Sequence, residues 1–359
     1  MRPLHQSESR RLVTESDPVR SESAGNTAGR TRRRRNFLLA LGLGPAFPAW
    51  AQSQPTAKVY RIGLLLPNTP EIAARNPRIG AFLQGLRELG LVDGRNVVIE
   101  MRFAWQQIDR LNELALELAA LRVDVIVAAA APSALAARRA TATIPIVMLD
   151  PGDPVGLGLV PSLARPGGNV TGVTSIAPEL ASKRLALLKE TVPATSRVAV
   201  LFNAAVPPAE LAIRETQAAA QTLGVQLLAV EIRGVKGLDE AFRSVLLFHA
   251  NGLIVFPDPL TFSNQDSIVN FARMNHIPAL YGAHEFADAG GLISYGPNYQ
   301  TMFRRGAYYV DRILKGAKPE DLPIEQPTAF EMVLNMKTAK ALGIALPQSI
   351  LVQVNRAIE

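Results

Sequence analysis

Short apolar runs alternate along this chain with stretches of helical hydrophobic spacing, beginning near residue 58. The first run, 59–66, is largely apolar and ends in a Pro-Asn-Thr-Pro turn, as expected for a strand buried in a parallel sheet. Further strands are predicted at 96–103, 123–128 and 144–149, and helices at 81–89, 109–121 and 134–140. This alternation predicts a parallel sheet that is covered by helices on both faces.

The same pattern restarts after a segment rich in glycine and proline, residues 152–172. Glycine permits positive φ and proline fixes φ, so this segment predicts turns rather than one long element. Beyond it, strands are predicted at 197–202, 225–232, 252–256, 279–281 and 292–295, and helices at 178–191, 208–223, 238–248 and 265–274. The fold class predicted is α/β, with two doubly wound parallel-sheet lobes and a cleft between them.

The net charge of +7 is concentrated at the start of the 359-residue chain. Residues 1–51 carry nine arginines and four acidic residues, whereas the remainder carries 29 basic and 27 acidic residues. A body so nearly balanced indicates no nucleic-acid partner. The length of the chain suits two domains of roughly 150 residues each.

The first 51 residues have the layout of a cleavable export signal that follows a polar, disordered extension. A basic cluster at 32–36 precedes an apolar stretch at 37–47, and Ala49-Trp50-Ala51 fits a cleavage site that ends after Ala51. The apolar stretch is shorter than the roughly 20 residues that a membrane anchor needs. Residues 34–39, Arg-Arg-Asn-Phe-Leu-Leu, also resemble the twin-arginine export motif. The sequence therefore predicts a periplasmic protein.

The chain lacks the residues that several kinds of catalysis require. There is no cysteine, which removes disulfides, thiol catalysis and thiolate metal sites. Three histidines follow the signal, and no two of them stand at the helical spacing of a metal-binding pair. Gly156-Leu157-Gly158 lacks the third glycine of a dinucleotide loop. We therefore predict a protein that is not an enzyme and has no cofactor or metal; an acid–base role for His284 with Glu285 is the weaker alternative.

Longer stretches of the chain resemble the extracytoplasmic substrate-binding proteins of ABC importers, in the tryptophan- and tyrosine-type branch. The stretches that carry this resemblance are 82–90, 152–172, 281–282, 285–286, 289–298, 313–319 and 322–328. The resemblance implies a type I periplasmic-binding fold whose lobes are joined by three crossings, near Thr174, Tyr295 and Gln326. It implies one lobe formed by 58–174 plus 296–326 and a second formed by 175–295 plus 327–359.

The resemblance also implies a function. A small molecule, such as an amino acid or a small carboxylate, would be captured in the interlobe cleft and delivered to an ABC permease with its cytoplasmic ATPase. The protein would be a monomer that meets the membrane through the permease alone; an exported ligand sensor with the same fold is the alternative. The chain departs from the family pattern at Trp105 and at 130–133, where Ala-Ala-Pro-Ser replaces a loop that often contains Gly-Thr-Pro. The resemblance therefore does not imply which ligand this chain binds.

Candidate ligand contacts follow the predicted strands, because ligands of open parallel sheets bind at the carboxyl ends of the strands. A ligand carboxylate would accept amide hydrogen bonds at the predicted helix start, Ser133-Ala134. A ligand ammonium would pair with Asp258 or Glu285. Competing interpretations are an N-cap for Ser133, a turn aspartate for Asp258 and a packing role for Trp105. The full set is Asn68, Thr69, Trp105, Ser133, Ala134, Asp150, Asp153, Thr174, Ser175, Asn203, Asp258, Tyr281 and Glu285.

Overall fold

The structure is a computed structural model that describes residues 58–175, 180–203 and 208–359. The predicted export signal at residues 1–51 lies outside these residues. Among the helices of the described ranges, none is long and apolar enough to cross a membrane.

The first lobe is built on a five-stranded parallel sheet in the order β2-β1-β3-β4-β5. Its strands are β1 (Tyr60–Leu66), β2 (Val97–Phe103), β3 (Val125–Ala129), β4 (Ile146–Leu149) and β5 (Val170–Val173). Its helices are α1 (Pro70–Arg75), α2 (Pro77–Glu88), α3 (Arg110–Ala120) and α4 (Ala130–Ala140). The central strand β3 is buried along its whole length, as a strand covered on both faces must be.

The second lobe is built on a seven-stranded sheet in the order β12-β11-β10-β9-β8-β6-β7. Its strands are β6 (Arg197–Phe202), β7 (Gln226–Glu231), β8 (Gly252–Val255), β9 (Ala279–Tyr281), β10 (Ile293–Pro297), β11 (Phe330–Asn335) and β12 (Arg356–Ile358). Its helices are α5 (Leu180–Thr191), α6 (Pro208–Leu223), α7 (Leu238–Leu247), α8 (Pro259–Ser263), α9 (Gln265–Met274), α10 (His284–Asp288), α12 (Met336–Ala341) and α13 (Gln348–Leu351). Strands β6 to β10 are parallel to one another. Strands β11 and β12 are parallel to each other and run antiparallel to those five.

The chain crosses between the lobes three times. It leaves the first sheet after β5 and returns after β10 into α11 (Tyr299–Leu314), which packs on α2, β4 and β5. A short 3-10 turn at Pro319–Asp321 leads to the third crossing. There the Thr174 N–H donates to the Glu325 carbonyl at 2.9 Å, so two of the crossings lie side by side.

Position 172, within β5 at the end of the glycine- and proline-rich segment, can hold only glycine. Its φ is +135°, and a Cβ at this position would lie 2.2 Å from the Met148 carbonyl oxygen. That oxygen belongs to the neighbouring strand β4. A side chain at residue 172 would therefore clash with backbone that has no freedom to move.

Helix α4 begins earlier than the sequence predicts. The prediction placed its start at Ala134, but β3 runs directly into the helix and Ala130 makes the turn with φ +66°. Ser133 consequently lies inside α4, fully buried, and does not precede the helix. The N-cap interpretation of Ser133 is therefore wrong. A non-glycine residue with positive φ is uncommon, and such residues cluster at ligand sites.

Candidate functional site

A cavity of about 110 Å³ lies between the two lobes. Its walls come from loops at the carboxyl ends of β1, β3 and β4 in the first lobe, and of β6 and β8 in the second. By comparison, an apolar cavity of about 150 Å³ can bind benzene. At about 110 Å³ this space is smaller than that cavity, so it excludes a peptide or a nucleotide, and a ligand larger than benzene fits only when the lobes part further.

Arg78, from the first lobe, is held rigidly at the wall of this cavity. Its Nε donates to Glu285 Oε1 at 3.0 Å, and its guanidinium carbon lies 3.4 Å from the ring centroid of Phe262 and 4.0 Å from that of Tyr299. Asn76, the N-cap of α2, fixes the backbone by accepting from the Arg78 N–H at 3.0 Å. The buried Nη2 has no hydrogen-bond partner among the described residues. Because guanidinium always carries its charge, this is a preorganised cationic donor.

Arg184, from α5 in the second lobe, is a second buried cation at the cavity. Its side chain is 1% exposed, its Nε donates to the Tyr295 carbonyl at 3.0 Å, and its Nη2 lacks a partner within the described ranges. Burial lowers the pKa of this guanidinium, an effect that Tyr299, Tyr295 and the Asp150 carboxylate oppose. A buried charge-bearing donor without a partner is costly, so both arginines favour an anionic group in the cavity.

Asp150 and Asp258 contribute two carboxylates to the same cavity. Asp150 has φ +57°, and one of its oxygens accepts from the Ser175 N–H at 3.0 Å. Burial raises the pKa of Asp150, and the Ser175 hydrogen bonds and the charges of Arg78 and Arg184 oppose that rise. These acids supply hydrogen-bond acceptors for a cationic part of a ligand.

Asp258 has a structural task as well as its place at the cavity. It is the N-cap of α8, with an oxygen that accepts from the N–H groups of Leu260 at 2.6 Å and Thr261 at 2.9 Å. The Thr261 hydroxyl accepts in turn from the Asp258 N–H, which completes a capping box. Burial raises the pKa of Asp258 to about 6, against the lowering effect of these N–H groups and of Asn203.

Aromatic rings make up much of the remaining wall. Phe256, Phe262 and Phe303 line the cavity together with Tyr299, whose buried hydroxyl has no partner in the described part of the chain. Rings of this kind bury a large apolar area and pack against other rings in offset or edge-on geometry. A cavity that combines cations, carboxylates and rings suits a ligand with both charged and apolar parts.

Several of the predicted contacts line the cavity together. They are Asn68, Asp150, Ser175, Asn203 and Asp258. Glu285 lies on the far side of Arg78 and holds that guanidinium instead of facing the cavity. Burial would raise its pKa, but the charge and hydrogen bond of Arg78 outweigh burial and lower it.

The structure places the other predicted contacts away from the cavity lining. Thr69 caps α1, and Asp153 accepts from the Gly156 N–H at 2.9 Å within a turn. Trp105 is 49% exposed. The remaining four, all buried, are Ser133, Ala134, Thr174 and Tyr281.

Sequence reasoning missed Arg78 and Arg184, although a signal for both was present. Arg184 stands one turn after Leu180 and one turn before Leu188 on the buried face of α5. Arg78 likewise stands one turn before the buried Phe82 on α2. An arginine within the apolar stripe of a helix indicates a buried cation, because that stripe faces the core.

Comparisons with known proteins bear on this site. A family model described as ABC transporter substrate binding protein matches residues 71–358. The tyrosine-binding protein of Clostridioides difficile (strain R20291) is 28% identical over 263 residues, which are 73% of this chain and 75% of that protein.

Two solved structures are similar to this chain at 25% identity. An ABC domain from Streptococcus pneumonia in complex with L-Trp has a TM-score of 0.76, covering 83% of this chain and 99% of the other. The ligand-free, open structure of a substrate-binding protein with adhesive properties from Clostridium difficile has a TM-score of 0.59, covering 84% and 99%. The predicted family and two-lobed fold class are thereby confirmed.

Proposed function

We propose that this chain, which belongs to the ABC transporter substrate binding protein family, binds an aromatic amino acid in its interlobe cavity. We propose further that it delivers this ligand to an importer. The observation that carries the first proposal is the pair of buried guanidinium groups, one from each lobe, whose Nη2 atoms lack partners among the described residues.

The carboxylate of the amino acid accepts hydrogen bonds from Arg78 and Arg184 in this proposal. A carboxylate matches the geometry of guanidinium donors, and each hydrogen bond to a charged group contributes about 1.5–3 kcal/mol. Since the two arginines belong to different lobes, one carboxylate that contacts both stabilises the closed arrangement. A ligand that contacted one lobe alone would not shift that equilibrium.

The ammonium group and the side chain of the ligand have complementary surroundings. Asp150 and Asp258 offer carboxylate acceptors for the ammonium. The rings of Phe256, Phe262 and Phe303 offer an apolar surface for an aromatic side chain. The names of two relatives support this ligand class, since one is a tyrosine-binding protein and the other was solved with L-Trp.

Closure of the lobes is the mechanism that we propose for signalling occupancy to the permease. The arrangement of this chain has the higher TM-score with the complexed relative, 0.76, and the lower with the open, ligand-free relative, 0.59. This difference supports a closed arrangement here. Closure brings surfaces of both lobes into one fixed relation, and a permease can select that relation.

The remaining features of the proposal follow from the family and the sequence. We propose that the protein is periplasmic after cleavage at Ala51, works as a monomer, is not an enzyme, and serves a permease with a cytoplasmic ATPase. We also propose the lobe boundaries already given, 58–174 with 296–326 and 175–295 with 327–359. Stimulation of the reconstituted importer's ATPase by ligand-loaded protein, but not by ligand-free protein, tests the delivery step.

Calorimetric titration with a matched series of ligands tests the binding step. We expect L-tyrosine, L-tryptophan or L-phenylalanine to bind, and the carboxamide of the same amino acid to bind at least about tenfold more weakly, because it lacks the anionic oxygens that the arginines require. The analogue that lacks the ammonium group should also bind more weakly than the amino acid, because it has no cation for Asp150 and Asp258 to accept a hydrogen bond from. Equal binding of acid and amide, or no binding of any of these amino acids, would refute the proposal.

A further inference from the structure

A second, larger recess of about 780 Å³ adjoins the ligand cavity on the side of Arg78 and opens to solvent. We call it the outer groove, and it is lined by residues of both lobes, from Asn68 and Arg75 in the first to Gln265 and His284 in the second. Four residues line both the cavity and the outer groove: Asn68, Asn76, Arg78 and Phe262. These residues therefore form the wall that separates the two spaces.

The strongest contacts across this wall join one lobe to the other. Arg78 comes from α2 in the first lobe, and its partners Glu285 and Phe262 come from α10 and α8 in the second. The Arg78 and Glu285 side chains are 8% and 11% exposed, so their 3.0 Å ion pair is largely shielded from water. Separation of the lobes must break this pair and the ring contact together.

We propose that the Arg78–Glu285 pair is a gate between the outer groove and the ligand cavity. Ligand enters and leaves through the groove when the pair parts, and the pair holds the lobes closed when it forms. This inference rests on the proposed function, because it assigns the route to that same cavity.

The energetics of a buried ion pair suit such a gate. Within the closed protein the two charges neutralise each other, and removing one partner leaves the other buried and unpaired. When the lobes part, both groups regain water in the groove, so opening carries no stranded charge. The carboxylate stays ionised in the closed state because Arg78 lowers the pKa of Glu285. Glu285 is thus a positioning residue: it holds Arg78 with Nη2 available to the ligand and does not itself line the cavity.

His284 and Asp288 flank the gate without taking the place of Glu285. His284 Nδ1 lies 2.9 Å from Asp288 Oδ2, and its Nε2 lies 3.9 Å from Glu285 Oε2. Asp288 also pairs with Arg356 at 2.8 Å. These ion pairs remain within the second lobe, so among the described residues Arg78–Glu285 is the ion pair that joins the lobes.

The test compares Glu285→Gln with Glu117→Gln in the full protein. Glutamine keeps the size and an acceptor oxygen but removes the charge. Glu117 pairs with Arg102 at 2.8 Å inside the first lobe, so its variant is a matched control that leaves the gate intact. Small-angle X-ray scattering without ligand reports lobe separation, and stopped-flow fluorescence with L-tyrosine or L-tryptophan reports the dissociation rate.

We expect Glu285→Gln to raise the dissociation rate at least tenfold and to enlarge the ligand-free radius of gyration, whereas Glu117→Gln changes neither. Glu285→Asp, which retains the charge, should recover part of the wild-type dissociation rate; a thermal melt establishes that each variant is folded. A dissociation rate within twofold of wild type, with unchanged scattering, overturns the gate. The scattering needs no ligand, so expanded Glu285→Gln together with failure of every amino acid to bind would refute the proposed ligand and leave the gate standing.

Discussion

Replacing Asp258 by asparagine should stabilise the ligand-free protein at neutral pH. Asp258 is 7% exposed and caps α8 with two backbone hydrogen bonds. Asparagine is as good an N-cap as aspartate, so Asp258→Asn keeps the cap and removes the buried charge. The change therefore isolates the cost of a buried, ionised carboxylate at the cavity wall.

The magnitude follows from the pKa of Asp258, which burial raises from 3.8 to about 6. Each pH unit of difference corresponds to about 1.4 kcal/mol, so the ionised carboxylate costs about 3 kcal/mol of folding free energy above pH 6. The sign follows from proton binding: between pH 4 and 6 the folded state binds the proton and the unfolded state does not. The cost is therefore absent below about pH 4 and grows as the pH rises to 6.

Urea unfolding at pH 4 to 8, without ligand, measures this effect. The Asp258→Asn variant should exceed the wild type by about 3 kcal/mol at pH 7, and the difference should shrink toward zero at pH 4. Asp153→Asn is the matched control, because Asp153 also accepts a backbone hydrogen bond, from Gly156, but in a turn outside the cavity lining. A difference that is negative at pH 7, or that does not change with pH, would show that the buried Asp258 carboxylate does not destabilise the folded protein.

Three further predictions concern glycine geometry and the second arginine. Gly172→Ala should lower the free energy of unfolding by about 3 kcal/mol or more in urea titrations, because its Cβ would lie 2.2 Å from the Met148 carbonyl oxygen at φ +135°. Gly80→Ala, in α2 with no atom within 4 Å of the new Cβ, should instead raise it by about 0.5–1 kcal/mol; a loss would contradict the helix assignment. Arg184→Lys should weaken amino-acid binding at least about tenfold by calorimetry, since lysine lacks the guanidinium fork, and unchanged affinity would remove Arg184 from the site.

The sequence predicted the fold class because alternation of strands and helices is a local property. Short apolar runs and helical spacing are visible within a few residues, and the three crossings followed from a resemblance over long stretches. The start of α4 was missed because the chain turns from strand to helix at Ala130, which has a positive φ. Alanine rarely adopts this conformation, so its presence in the sequence does not predict such a turn.

The candidate site was predicted less well, because buried charges act through partners that are distant in the chain. Arg78 and Glu285 are 207 positions apart, so the sequence indicated a free acid at Glu285 where the structure has an ion pair. Asn68, Asp150, Asn203 and Asp258 line the cavity because they follow the ends of strands, which is the rule that selected them, and Ser175 was selected for its place near the first crossing. The same rule selected Trp105, whose ring lies outside the lining.

In the proposed complex, one ligand carboxylate joins the two lobes through Arg78 and Arg184. A crystal structure of the protein with bound L-tyrosine or L-tryptophan shows where that carboxylate lies. We predict carboxylate oxygens within about 3 Å of the Nη2 atoms of both arginines and the ring of the ligand against Phe256, Phe262 or Phe303. A bound amino acid whose carboxylate contacts neither Nη2 atom would show that these arginines do not bind the ligand carboxylate.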